Sequence, residues 1–208
     1  MAEASATAEG ASIQTLTHLW LIWAGVALDQ ARTARRARDA ALRASDSADV
    51  SHRMRQEFDA SLVAVAASAH ALDALYGSTA VPQAQRDEWA GRRTRRHGKI
   101  REALKLFFET GPVQTQWVTE FEWLFNLRDA AAHAEESPRQ TVPHPLGTNT
   151  APQFVEYSME SAARACDLLL AVLRRCSDNP RPSEPTAMRW AAAHEPEIVD
   201  LERRWTQA

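Results

Sequence analysis

Between residues 58 and 76 apolar side chains return at alternating spacings of four and three: Phe58, Leu62, Val65, Ala69, Leu72 and Tyr76. That rhythm is the seam of an α-helix packed lengthwise on other helices. Ser51 stands ahead of it as a capping residue, and Gly77 ends it. Upstream, Ile13, Leu16, Trp20, Trp23 and Val26 open a helix predicted from about Ser12 to Ser45. Its first half is apolar on several sides. Its second half, ARTARRARDAALRAS, is amphipathic and basic. After Pro82 a third helical stretch carries Gly91 and Gly98, which predict that it is bent or split. The pair Gly111 and Pro112 closes it and opens a fourth helix carrying Trp117, Phe121, Leu124, Phe125 and Leu127, stopped by Pro138. Residues 138–153 read as a long irregular loop rich in proline and threonine. A fifth helix, heavily buried through Leu168, Leu169, Leu170, Val172 and Leu173, is predicted from about Phe154 to Ser177.

The sum is an all-α protein: an antiparallel bundle of about five helices with a C-terminal helical appendage. Residues 1–11 are small and polar and are expected to be disordered, the bundle runs over 12–178, and 179–186 is a proline-rich linker. The last helix, within 187–208, puts Ile198, Leu201 and Trp205 on one face. It either folds back or meets a partner protein. Abundant alanine, scarce glycine and few β-branched runs agree with helix throughout.

Charge adds little globally, because the net value is −3. Locally, GRRTRRHGKIREALK (91–105) is strongly basic and HEPEIVDLE (194–202) is acidic. Cys166 and Cys176 lie ten residues apart on one predicted helix, about 15 Å and too far to pair, which suits a reducing compartment. The N-terminus has no basic leader, and LWLIWAGVAL (19–28) is about half the length of a membrane span. These features predict a cytoplasmic protein without a membrane anchor.

One polar stretch stands out against the apolar helix it ends: LFNLRDAAAHAEE, residues 124–136. An arginine five residues before a histidine also occurs at 92 and 97, 139 and 144, and 189 and 194. Only Arg128 and His133 close a strongly apolar helix with an acidic residue directly after the arginine. At about 100° per residue, Asn126, Asp129 and His133 form one polar stripe with Arg128 at its edge.

This stretch resembles the signature of the HEPN superfamily, helical-bundle proteins with an arginine, a polar residue after it and a histidine a turn further on. Arg128, Asp129 and His133 are the matching residues. The resemblance implies a metal-independent endoribonuclease of a defence or toxin–antitoxin system, working as a homodimer with the motif helices face to face. It implies that His133 transfers a proton, that Arg128 holds the phosphate, and that Asp129 orients one of them.

Arg92, Arg93, Arg95, Arg96 and Lys99 are candidates, with Asn126, for binding RNA. His70 and Asp73, with Asp59 on the same helix, suggest a second polar site or, more simply, a buried and satisfied histidine. No metal or cofactor is expected, because HExxH, di-iron, phosphate-loop and dinucleotide patterns are missing from the sequence. Glu120, Glu122, Glu135 and Glu136 flank the motif and would repel a phosphate backbone. They favour the alternative reading, a non-catalytic helical adaptor or ligand-binding protein of the same fold.

Overall fold

The computed structural model describes residues 18–111, 114–132 and 140–207. Its centre is an antiparallel pair, α1 (Leu19–Arg43) and α2 (Ser47–Gly77). Both helices bury rows of alanine, Ala24, Ala27, Ala31 and Ala34 on α1 and Ala60, Ala64, Ala67 and Ala71 on α2. Small side chains let the two axes come close over a long stretch. The alanine excess therefore serves packing as well as helix propensity. By length and composition α2 would also suit a membrane span, but more than half of its apolar window is buried inside the protein.

The cap of α2 is Asp46, whose Oδ1 accepts the Asp49 amide at 2.8 Å. Ser51, expected in that role, lies inside the helix, and its hydroxyl donates to the Ser47 carbonyl. Asp46 sits on extended backbone ahead of the first turn, where an acceptor side chain can reach an unpaired N–H. His70 is exposed, with its ring 5.1 Å from that of Trp23. It is not the buried histidine expected. Asp73 pairs with Arg96.

The third helical stretch is split into α3 (Gln83–Gly91) and α4 (Arg96–Phe107). The break follows Gly91, and Arg93 turns the chain at φ 52°. Gly98 lies within unbroken α4. The chain then passes Gly111, at φ 55°, a left-handed conformation that favours glycine, and a Cβ there would push the Arg175 guanidinium aside. Next comes α5 (Gln114–Ala132). The loop is less irregular than its composition suggests. Val142–Pro143 (β1) and Asn149–Thr150 (β2) form a small hairpin, with Val142 opposite Thr150. The expected fifth helix is interrupted at Tyr157, giving the single turn α6 (Gln153–Glu156) and then α7 (Met159–Asp178). The Tyr157 hydroxyl donates to the Leu127 carbonyl of α5 at 2.7 Å.

The last helix, α8 (Pro185–Thr206), folds back along α1 and α7. Arg174 meets Glu202 at 2.9 Å, and the Trp205 indole donates to Asp167 at 2.7 Å. The linker before α8 is pinned: the Glu109 amide donates to the Asn179 carbonyl and the Arg181 amide to the Phe107 carbonyl. Trp20, Leu28, Leu72, Ile100, Phe121, Leu169 and Ile198 meet in one core. A buried ionic cluster ties its far end. Arg38 of α1 binds Glu57 of α2 at 2.5 and 2.7 Å and Glu160 of α7 at 3.0 Å, while Glu57 also accepts the Met159 amide at 2.9 Å.

Candidate functional site

Helix α5 turns Trp117, Phe121, Leu124 and Phe125 into the core, which leaves its polar residues on the outside. Arg128 lies over Phe125, with its guanidinium carbon 4.5 Å from the ring centroid. Its Nε and Nη2 both reach Asp129 Oδ1, at 3.0 and 2.6 Å. The arginine side chain is 19% exposed and the aspartate 59%, so the pair is an open carboxylate holding a sheltered cation.

Asn126 does not join them. It lines a groove of about 420 Å³ between α5, the end of α6 and the start of α7, with Trp123, Leu127, Ala130, Glu156 and Ser161. Arg128 follows two residues later, about 200° around the helix, over the Phe125 ring. Of the polar stripe read from the sequence, Asn126 and Asp129 are both exposed, three residues apart on α5. His133, with Glu135 and Glu136, lies outside the described residues.

The basic segment is divided in a similar way. Arg95 Nη1 lies 4.0 Å from Glu122 Oε1. The His97 ring is 6.3 Å from that of Phe125, the ring that carries Arg128. The start of α4 therefore lies against the part of α5 that bears the motif. Arg96 turns elsewhere, onto Asp73 and over the Tyr76 ring at 4.4 Å. Arg92 pairs with Glu88 at 2.5 Å. Arg93 is exposed in the turn, and Lys99 is half-buried.

His97 is the residue that reading the sequence passed over. Burial holds its pKa below the usual histidine value, and Arg101 and Arg95 push the same way against Glu122 and Asp129. It is neutral at pH 7 and able to accept a proton. Its arginine–histidine spacing gave no reason to select it. The signal lay downstream, since Ile100, Leu104 and Phe107 make it a first-turn residue of an amphipathic helix. Chemically, the surface offers one arginine held by one carboxylate, a neutral imidazole and further guanidinium groups at its edge. Among the described residues no three His, Cys, Asp or Glu side chains are grouped to hold a metal ion.

The chain matches no family model, no curated protein and no solved structure.

Proposed function

We propose that this chain is a HEPN-like, metal-independent endoribonuclease of a defence or toxin–antitoxin system, acting as a cytoplasmic homodimer. The observation that carries the reading is the packing of the basic start of α4 against α5, with Arg95 and His97 beside Glu122 and Phe125 and the Arg128 guanidinium on that same ring. In the reaction the RNA 2′-hydroxyl attacks the adjacent phosphorus. The 2′-O–P bond forms, the P–O5′ bond breaks, and the products are a 2′,3′-cyclic phosphate and a 5′-hydroxyl. His133 moves the proton from the attacking hydroxyl or to the leaving oxygen. Arg128 offsets charge on the phosphoryl oxygens, and Asp129 holds that arginine until substrate replaces it. Arg92, Arg93, Arg95, Arg96, Lys99 and Asn126 bind the flanking strand.

The test is incubation of total RNA with the wild type and with Arg128→Ala and His133→Ala variants in the presence of a chelator. Cleavage by the wild type alone supports the nuclease. An inert wild type, with His133→Ala changing only the melting temperature, sinks it.

A second reading keeps the fold and drops the chemistry: an adaptor acting through protein contacts, α8 included. It is favoured by the acidic partners already held by Arg92, Arg95, Arg96 and Arg128. It predicts no RNA retention by the wild type at physiological salt.

A further inference from the structure

The side of the bundle built by α1 and α8 carries a second concentration of arginines that the reading above does not use. Arg32, Arg35 and Arg36 of α1 and Arg204 of α8 line one open groove of about 430 Å³, together with Asp39 and Gln207. Among the described residues Asp29 is the carboxylate in ion-pair contact with this set. Asp29 lies 3.0 Å from Arg204 and 3.6 Å from Arg32. Among the described residues no carboxylate is within ion-pair distance of Arg35 or Arg36. Arg35 lies over the Trp205 ring at 5.5 Å, and Arg36 donates to the Thr33 hydroxyl. The Nε of Arg32 is buried with no acceptor.

Intramolecular needs do not account for this arrangement. Cations in the last turn of a helix complement its dipole, which explains Arg203 and Arg204 at the end of α8. Arg32, Arg35 and Arg36 lie in the middle of α1, where the dipole gives them nothing. At spacings of four and three, Arg32 with Arg36 and Arg32 with Arg35 repel one another along the helix face. The set keeps a surplus of positive charge over Asp29 and Asp39, one donor with nothing to bind, and an aromatic ring beside one of the guanidiniums. Planar guanidinium forks grouped in this way match the oxygens of phosphate.

We propose that the α1–α8 groove is a binding site for a phosphate-bearing anion, held by Arg32, Arg35, Arg36 and Arg204. Asp39 is the one opposing group among the residues lining the groove, and it sets a test of sign. The source of the phosphates is either a short polyphosphate chain or the backbone of a single-stranded RNA.

The full chain is titrated with inorganic tripolyphosphate by calorimetry and with a labelled RNA oligonucleotide by fluorescence anisotropy, over a series of salt concentrations. The proteins are the wild type, Arg35→Ala/Arg36→Ala and Asp39→Asn. All replaced side chains are partly or fully exposed, and circular dichroism checks that each variant folds. The double arginine variant weakens binding at least about tenfold and, with RNA, lowers the salt slope by about two. Asp39→Asn tightens binding. Tripolyphosphate that binds and responds in this pattern assigns the site to a short polyphosphate. A response confined to RNA assigns it to a phosphodiester backbone. No binding of either probe, or binding unchanged by Arg35→Ala/Arg36→Ala, overturns the proposal. RNA binding that responds only to changes at Arg95 or Arg128 also overturns it, and leaves the nuclease reading standing.

Discussion

Arg38 offers the sharpest test of what holds the bundle together. Its side chain is 7% exposed and that of its partner Glu57 is 2% exposed. Two guanidinium nitrogens meet the two oxygens of Glu57, at 2.5 and 2.7 Å. Replacing Arg38 by methionine keeps most of the stem volume but strands the Glu57 carboxylate, whose remaining partner is the Met159 amide at 2.9 Å. Breaking a buried pair from one side costs about 3–5 kcal/mol, because the surviving charge stays desolvated. That is a large share of the roughly 5–15 kcal/mol that holds a domain folded. An exposed pair such as Arg203 with Asp200 contributes about 0–1 kcal/mol at most. The double variant Arg38→Met/Glu57→Met removes both buried charges, leaves only Glu160, whose side chain is 52% exposed, without its arginine, and costs much less than the sum of the two single variants. Urea unfolding at pH 7, followed by far-UV circular dichroism, measures all four proteins, with an unchanged m-value as the check on two-state behaviour. An Arg38→Met cost below about 1 kcal/mol, or strictly additive costs in the double variant, would refute the argument that the cluster acts as one desolvated unit.

Three further outcomes follow from burial and capping. His97, His144 and His194 are each held below the usual histidine pKa, first by burial, with Arg38 adding to the effect at His144 and His18 at His194. The unfolded chain therefore takes up these protons first. Stability is complete above about pH 6.5 and is lost as the pH falls through that value toward the lower folded-state pKa values. A melting temperature flat between pH 7.5 and 5 would contradict this. Cys166 and Cys176 are fully buried, and burial pushes the Cys166 thiol up to about 12 and the Cys176 thiol higher still. Ellman's reagent should leave both untouched in the native protein and modify both in urea, and rapid native labelling would refute that. Asp46→Ala removes the cap of α2 and should cost about 1 kcal/mol in urea unfolding, whereas Ser51→Ala should cost less.

The helices were legible because their apolar positions repeat. The seam from Val65 through Ala69 and Leu72 to Tyr76 is buried as its spacing requires. The core face of α5 from Trp117 to Phe125 follows the same logic. Much of what escaped depends on partners distant in sequence. The break at Tyr157 puts Ser158 at the N-cap of α7, a local signal that was overlooked, and it accompanies a hydroxyl reaching Leu127 thirty residues earlier. His70 looked buried because the seam residues lie on both sides of it, yet it falls at the edge of that face beside Trp23. Asp46 and Ser51 are both good capping types, and the choice between them rests on where the chain leaves α1. At the candidate site the sequence singled out the Arg128–Asp129 step, but not the placing of His97 beside it, which exists only through the packing of α4 on α5.

That packing also decides how far the carboxylate of Asp129 stands in the way of an anion. Arg128 meets one oxygen through Nε and Nη2, so Nη1 takes no part in the pair. Its guanidinium carbon lies 4.5 Å from the Phe125 ring centroid, whereas the aspartate is mostly in solvent. Separating an exposed pair of this kind costs about 0–1 kcal/mol. A bidentate contact from the same planar fork to a phosphate is charge-assisted on both sides and roughly twice as strong as a neutral hydrogen bond. Phe125 is buried, and α5 is tied through Leu127 to Tyr157 on one side and lies against His97 on the other. Under the proposed nuclease reading, Asp129 is the competitor that a substrate phosphate would have to displace from Arg128. The acids that count against a phosphate backbone are Glu120, Glu122, Glu135 and Glu136, which flank the motif, whereas Asp129 belongs to it.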